Sequence, residues 1–217
     1  MNSKFKVVYV DEDPDARKEF ELNFVNKEMC DLVIVHPKFQ LDEMVDFIIE
    51  EGPEAVVSDF RLKDKEPSVT YDGVDLVKKL KSIKTKLPCF VLTSYEGEAI
   101  NVALDVNWIH DKEEIHEDEN DRPVFSQKVL QQIHVNRGLL DNLLNKQQEL
   151  FNKLQQSQLT AEEERELVEL SNEIELFIFD DKKIPNEIKS YDGLAKLDSL
   201  IKLSDQLLKE IDKNIVK

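Results

Sequence analysis

A chain of 217 residues with 41% hydrophobic residues and only seven prolines and five glycines can fill one large domain or two smaller ones, and its composition is not that of a disordered chain. Its net charge of −17 repels phosphate backbones and anionic headgroups, so neither nucleic acid nor membrane is an expected partner. No apolar run reaches the ~18 residues of a membrane span, and the opening MNSKFKVVYVDED meets acids too soon for a signal peptide. Cys30 and Cys89 sit beside apolar runs and read as buried reduced thiols, so a cytoplasmic protein is expected.

In chain order, residues 5–10 read as a strand, and 14–27 as a helix with Asp13 as N-cap and Pro14 at its first position. A second strand over 31–35 precedes a helix over 41–50 that Gly52-Pro53 ends. A third strand covers 55–58, and a helix over 73–82 carries Val74, Val77 and Leu80 at helical spacing. A fourth strand covers 89–92, a short helix follows Glu96, and 106–109 reads as the fifth strand. Five strand-and-helix units in alternation predict a parallel sheet covered by helices on both faces, with functional groups at the carboxyl ends of its strands.

Composition changes at HEDENDRP (116–123), an acidic loop ending in proline, which divides the chain into domains 1–122 and 123–217. Residues 1–122 hold 16 Lys+Arg against 29 Asp+Glu, and 123–217 hold 13 against 17, so the second part is nearly balanced but not basic as a DNA-reading module would be. It reads as all-α. A long helix from Val124 places Leu130, Ile133, Leu140, Leu144, Phe151 and Leu154 on one stripe, interrupted by Arg137 and Gln147. Thr160 and Glu163 form a capping box for a second helix with Leu167, Leu170, Ile174 and Phe177 on one face. After Ile184-Pro185-Asn186, a third helix carries Leu194, Leu197, Ile201, Leu208, Ile211 and Ile215. Such stripes must pack on each other, as a bundle or coiled coil, or on a second copy of the chain.

The predicted strand ends carry a distinctive set of groups. The first strand ends in Asp11-Glu12-Asp13, the third in Asp59, the fourth in Thr93-Ser94, and Lys112 follows the fifth. Gathered carboxylates repel one another unless a hard cation joins them, and Mg2+ suits, since it uses one or two carboxylates and keeps positions open for water and phosphate. Asp59 is then a nucleophile toward phosphorus, the ammonium of Lys112 offsets charge on the transferring group, and the Thr93 hydroxyl hydrogen-bonds a phosphoryl oxygen. Asp13 reads as the N-cap rather than a ligand.

The segments VVYVDEDP, AVVSDFRL, CFVLTS and HDKEE together resemble the receiver domain of bacterial two-component response regulators, over about residues 4–115. The resemblance implies a flavodoxin-like (βα)5 fold, with Asp11 and Glu12 as the acidic pair, Asp59 as phosphoacceptor, Thr93 as switch hydroxyl and Lys112 as the family's lysine. It also implies Mg2+ held by Asp11, Glu12, Asp59 and the backbone carbonyl of Arg61. The expected function is that of a response regulator rather than an enzyme acting on other molecules. A histidine kinase or phosphotransfer protein would phosphorylate it, and its helical output would engage a protein partner or a second copy as a homodimer.

Four features depart from the family pattern. Glu12 stands where aspartate is commoner, Glu113 replaces the usual proline after Lys112, and Trp108 lies four residues before that lysine rather than three. The charged stretch from Phe60 to Asp72 is several residues longer than usual. Arg61 and Tyr95, each two residues past a site residue, would flank an attacking water, which predicts slow autodephosphorylation. His134, in the helical context His-Val-Asn-Arg-Gly, offers an alternative in which it passes the phosphoryl group on. A structural adaptor with an unphosphorylated receiver is the other alternative.

Overall fold

The computed structural model describes residues 4–24, 29–103, 105–116 and 125–177, and the chain forms two compact units, Met1–Leu139 and Leu140–Lys217. In the first, β1 (Phe5–Val10), β2 (Cys30–Val35), β3 (Ala55–Asp59), β4 (Cys89–Thr93) and β5 (Ile109–Asp111) lie parallel in the order β2-β1-β3-β4-β5. The helices α1 (Pro14–Asn23), α2 (Leu41–Glu51), α3 (Gly73–Ile83) and α4 (Glu96–Val102) alternate with them, and α5 (Phe125–Gln156) follows. This is a flavodoxin-like, doubly wound α/β sheet. Strand order reverses between β1 and β3, which opens a crevice at the carboxyl ends of those two strands.

Side-chain alternation along the strands divides the core. Val7 and Tyr9 of β1, Ala55 and Val57 of β3, and Phe90 and Leu92 of β4 form one buried cluster with Phe20 and Phe24 from α1 and Phe125, Val129, Leu130 and Ile133 from α5. Val8, Val10 and Val56 alternate to the other face and are also fully buried. Sheets covered on both sides take continuous apolar strands, which is why β1, β3 and β4 show so little polar alternation.

Local chemistry sets the helix ends. Asp13 accepts the Asp15 amide at 3.0 Å ahead of Pro14, as an N-cap should. Gly52 ends α2 at φ 61, where it donates to Ile48 and Ile49, a left-handed turn that glycine enters without steric cost. The fifth strand lies later than the sequence suggests. Val106–Trp108 form a 3-10 turn because Asp105 accepts the Asn107 amide at 2.9 Å, and β5 begins only at Ile109.

In the second unit, α6 (Ala161–Glu175) opens at the predicted capping box: Thr160 Oγ1 accepts the Glu163 amide, and Glu163 Oε2 accepts the Thr160 amide at 2.9 Å. Leu167, Leu170 and Ile174 are buried as one stripe. Along the α5 portion of this unit the pattern differs from the expected one. Leu144 is exposed, whereas Gln147, read as an interruption, is half-buried because it donates to Ser171 Oγ at 3.0 Å. The units divide inside α5, between Leu139 and Leu140, rather than at the acidic segment 116–123, because Phe125, Val129, Leu130 and Ile133 belong to the sheet's core. The predicted third helix lies outside the described residues.

Candidate functional site

Strand register brings the candidate residues together. Val10 pairs with Ser58, so Asp11 and Asp59, the next residue on each chain, stand at adjoining strand ends. Asp59 pairs with Leu92 and Thr93 with Asp111, which sets Thr93 and Lys112 along the same edge. Asp11, Glu12, Asp59 and Thr93 are all buried, an expensive placement for carboxylates that nothing in a hydrophobic core requires.

One ammonium links the pocket. Lys112 Nζ lies 2.5 Å from Asp59 Oδ1 and 3.3 Å from Asp11 Oδ2. Asp59 Oδ2 accepts the Arg61 amide at 2.5 Å, so both oxygens of this carboxyl are held. Burial lowers the Lys112 pKa, but Asp59 and Asp11 together outweigh it and the net shift is upward, so the lysine stays charged. Burial raises the Asp59 carboxyl, opposed by Lys112 and reinforced by Asp11.

Glu12 is the group left over. Its Oε2 is buried without a hydrogen-bond partner. Burial is the main cause that takes its pKa up to about 7; a hydrogen bond from its own backbone pulls it down, and the Asp11 and Asp59 charges push it up again. Three carboxylates around a single ammonium leave the pocket short of positive charge. That imbalance, with the orphaned Glu12 oxygen, fits a hard divalent cation with oxygen ligands. Among the described residues no group of three or more His, Cys, Asp or Glu side chains is disposed to hold a metal by itself, so such a cation would rely on fewer side chains, backbone and water. The Arg61 carbonyl accepts the Asp64 amide at 3.1 Å and keeps a second lone pair.

Several supporting residues escaped the sequence reading. Gly73, the first residue of α3, lies so close to Asp59 that a Cβ there would stand 1.9 Å from the Asp59 carbonyl oxygen. Tyr9, wholly buried, donates its hydroxyl to Asp11 Oδ2 at 2.6 Å, and Asp11 Oδ1 accepts the Asp13 amide at 2.8 Å. Alternation along β1 put Tyr9 and Asp11 on one face, which is the signal that would have found the pair. Thr93 Oγ1 accepts the Tyr95 amide at 2.9 Å, leaving its own proton to donate.

The long β3–α3 connection is anchored. Leu62, Val69 and Tyr71 are buried, and the Tyr71 hydroxyl donates to the Lys38 carbonyl at 2.9 Å. Lys63 pairs within the connection with Asp72 at 2.7 Å, while its other cations reach outward, Lys65 to Asp13 and Arg61 to Glu98 of α4 at 2.7 Å. The Arg61 guanidinium also lies over the Tyr95 ring, 3.7 Å from its centroid. The histidines do not join the pocket. His36 faces Glu66, His110 faces Glu114, and His116 faces Glu19. His134 sits edge-on to Phe5, at the amino end of β1, and Arg137 is engaged by Glu54 and the same Phe5 ring. A six-residue strand of about 3.3 Å per residue separates that end from Asp11, ~20 Å in all, so Asp59 cannot hand a phosphoryl group to His134 within one chain. Cys30 and Cys89 are buried thiols.

No protein-family model matches the chain, and no curated protein matches it. Among solved structures it is similar to a two-component transcriptional regulator AraC from Clostridium phytofermentans, at 12% identity over 61% of this chain and 94% of that one, with a TM-score of 0.42. It is similar also to the RcsB response regulator of Salmonella typhimurium, at 18% identity over 87% and 74%, with a TM-score of 0.43. The anti-anti-sigma factor PhyR from Bartonella quintana matches at 12% identity over 64% and 51%, with a TM-score of 0.44. At such values these likenesses carry no functional weight, and the fold rests on the sheet order and register above.

Proposed function

We propose that the first unit is a receiver that accepts a phosphoryl group on Asp59, and that the protein is a response regulator signalling through its helical part. The observation that carries this reading is the Lys112 ammonium held between the buried carboxylates of Asp59 and Asp11, beside a Glu12 oxygen that has no partner. Buried charge of this kind destabilises a fold, and phosphoryl transfer is a chemistry that uses it.

Asp59, oriented by Lys112 and the Arg61 amide, attacks the phosphorus of a donor, and the bond to the leaving group breaks with its electron pair. Lys112 offsets charge on the phosphoryl oxygens, and the Thr93 hydroxyl donates to one of them. One or two carboxylates from among Asp11, Glu12 and Asp59, with the Arg61 carbonyl and water, would hold Mg2+, which when bound supplies further positive charge against those oxygens. The donor is a histidine kinase or phosphotransfer protein, and the site serves the protein's own modification rather than turnover of a separate substrate. The output is an interaction with another protein or a second copy. The net charge of −17 argues against nucleic acid, and no described helix is long and apolar enough to cross a membrane. A cytoplasmic setting agrees with the buried thiols of Cys30 and Cys89.

The test is to incubate the full chain with acetyl phosphate and Mg2+ and read the intact mass. A single hydroxylamine-labile phosphoryl adduct, absent in Asp59→Asn and without Mg2+, is expected. A chain that stays unmodified at every Mg2+ concentration leaves only a structural adaptor.

A further inference from the structure

Tyr9 is an odd residue for the middle of a doubly covered sheet. It is 1% exposed, flanked by Val8 and Val10, and an aliphatic side chain would fill the position without a hydroxyl to satisfy. Its ring stacks on Phe20 with centroids 3.9 Å apart and planes 13° apart, and Phe20 in turn meets Phe125 of α5 at 6.5 Å. The ring is thus fixed, and its hydroxyl reaches Asp11 Oδ2 at 2.6 Å. That oxygen also faces Lys112, the side of Asp11 turned toward Asp59. With the Asp13 amide on Oδ1, the whole carboxylate is clamped in one orientation.

We infer that Tyr9 is a positioning residue that presents Asp11 to a divalent cation and makes the pocket selective for Mg2+ over Ca2+. The inference rests on the proposed reading of this pocket as a cation-dependent phosphoacceptor site. Mg2+ demands near-octahedral geometry at short distances and tolerates little ligand movement, whereas Ca2+ accepts six to eight oxygens in loose arrangements. A carboxylate locked by a rigid neighbour favours the first; a swinging one favours the second. Removing a hydrogen-bond partner of a metal ligand typically costs about 10- to 100-fold in affinity.

Calorimetric titration of the full chain with Mg2+ alone and with Ca2+ alone decides it. Tyr9→Phe, which keeps the ring on Phe20, is expected to bind Mg2+ about tenfold or more weakly while Ca2+ affinity changes less, so the selectivity ratio falls. Phe20→Leu keeps the hydroxyl but loosens its seat and is expected to lower the ratio in the same direction. Should Tyr9→Phe not fold, Phe20→Leu alone decides by that criterion. If the wild type binds Mg2+ and the variants match it, Tyr9 has no such role and the pocket reading stands. If both cations weaken equally, the role is merely structural and the inference is overturned. If the wild type binds no Mg2+, the pocket reading fails and the inference goes with it.

Discussion

Glu12 shows what a single buried carboxylate does to this fold. Its pKa, taken up to about 7 by burial and by the charges of Asp11 and Asp59, lies above the ordinary value of 4.5 that it has in the unfolded chain. Between those values the native state holds the extra proton, so stability falls as pH rises through that window and is greatest below it. The buried Asp59, shifted in the same direction, adds to the slope. Thermal unfolding from about pH 5 to about pH 8 is therefore expected to show a declining Tm in the metal-free chain, and Glu12→Gln should flatten the decline. A wild-type Tm that rises across that range would contradict the account. Gly73 has one permissible identity, because any side chain there would displace the backbone of Asp59.

At the scale of elements, the β3–α3 connection meets the start of α4 through Arg61. Arg61 and Tyr95 project from different loops, and the guanidinium is kept over the ring by its ion pair with Glu98. An exposed ion pair contributes little stability, so the arrangement matters more for what it obstructs than for what it holds together. If Asp59 carries a phosphoryl group, this pair, two residues past Asp59 and two past Thr93, is expected to flank the path of an attacking water. Phosphate release from the labelled chain is expected to be slow, with a half-life well beyond seconds, and Arg61→Ala and Tyr95→Ala should each shorten it severalfold. Release unchanged in both variants would mean that the stack does not limit water.

Over the whole molecule, the first part of α5 counts as core of the α/β unit. Phe125, Val129, Leu130 and Ile133 are buried against the sheet, and burying such side chains contributes about 2 kcal/mol each. Together they rival the roughly 5–15 kcal/mol that holds a typical domain folded. A chain ending at Leu139 is accordingly expected to unfold in urea with one cooperative transition, and a chain ending at Arg122 to lack it. Equal stability of the two truncations by circular dichroism would show that the helix contributes nothing to the core.

Much of this was legible along the chain. Asp11 ends an apolar run with Glu12 next to it, Asp59 and Thr93 each end another, and Lys112 comes soon after the last strand, so the strand pattern marked them as neighbours at one edge of a parallel sheet. Asp13, Pro14, Gly52, Thr160 and Glu163 announced helix ends because capping is a matter of a few adjacent residues. Contacts between distant segments left no such trace. Lys65 meets Asp13 from 52 positions away, Arg61 meets Glu98 from 37, and Phe125 finds its place among Phe20, Phe90 and His110. Backbone preferences and periodicity act over a turn or a strand and are written locally. Which cation faces which carboxylate, and how much of a long helix joins the core, depends on packing among segments that meet only once the sheet has closed.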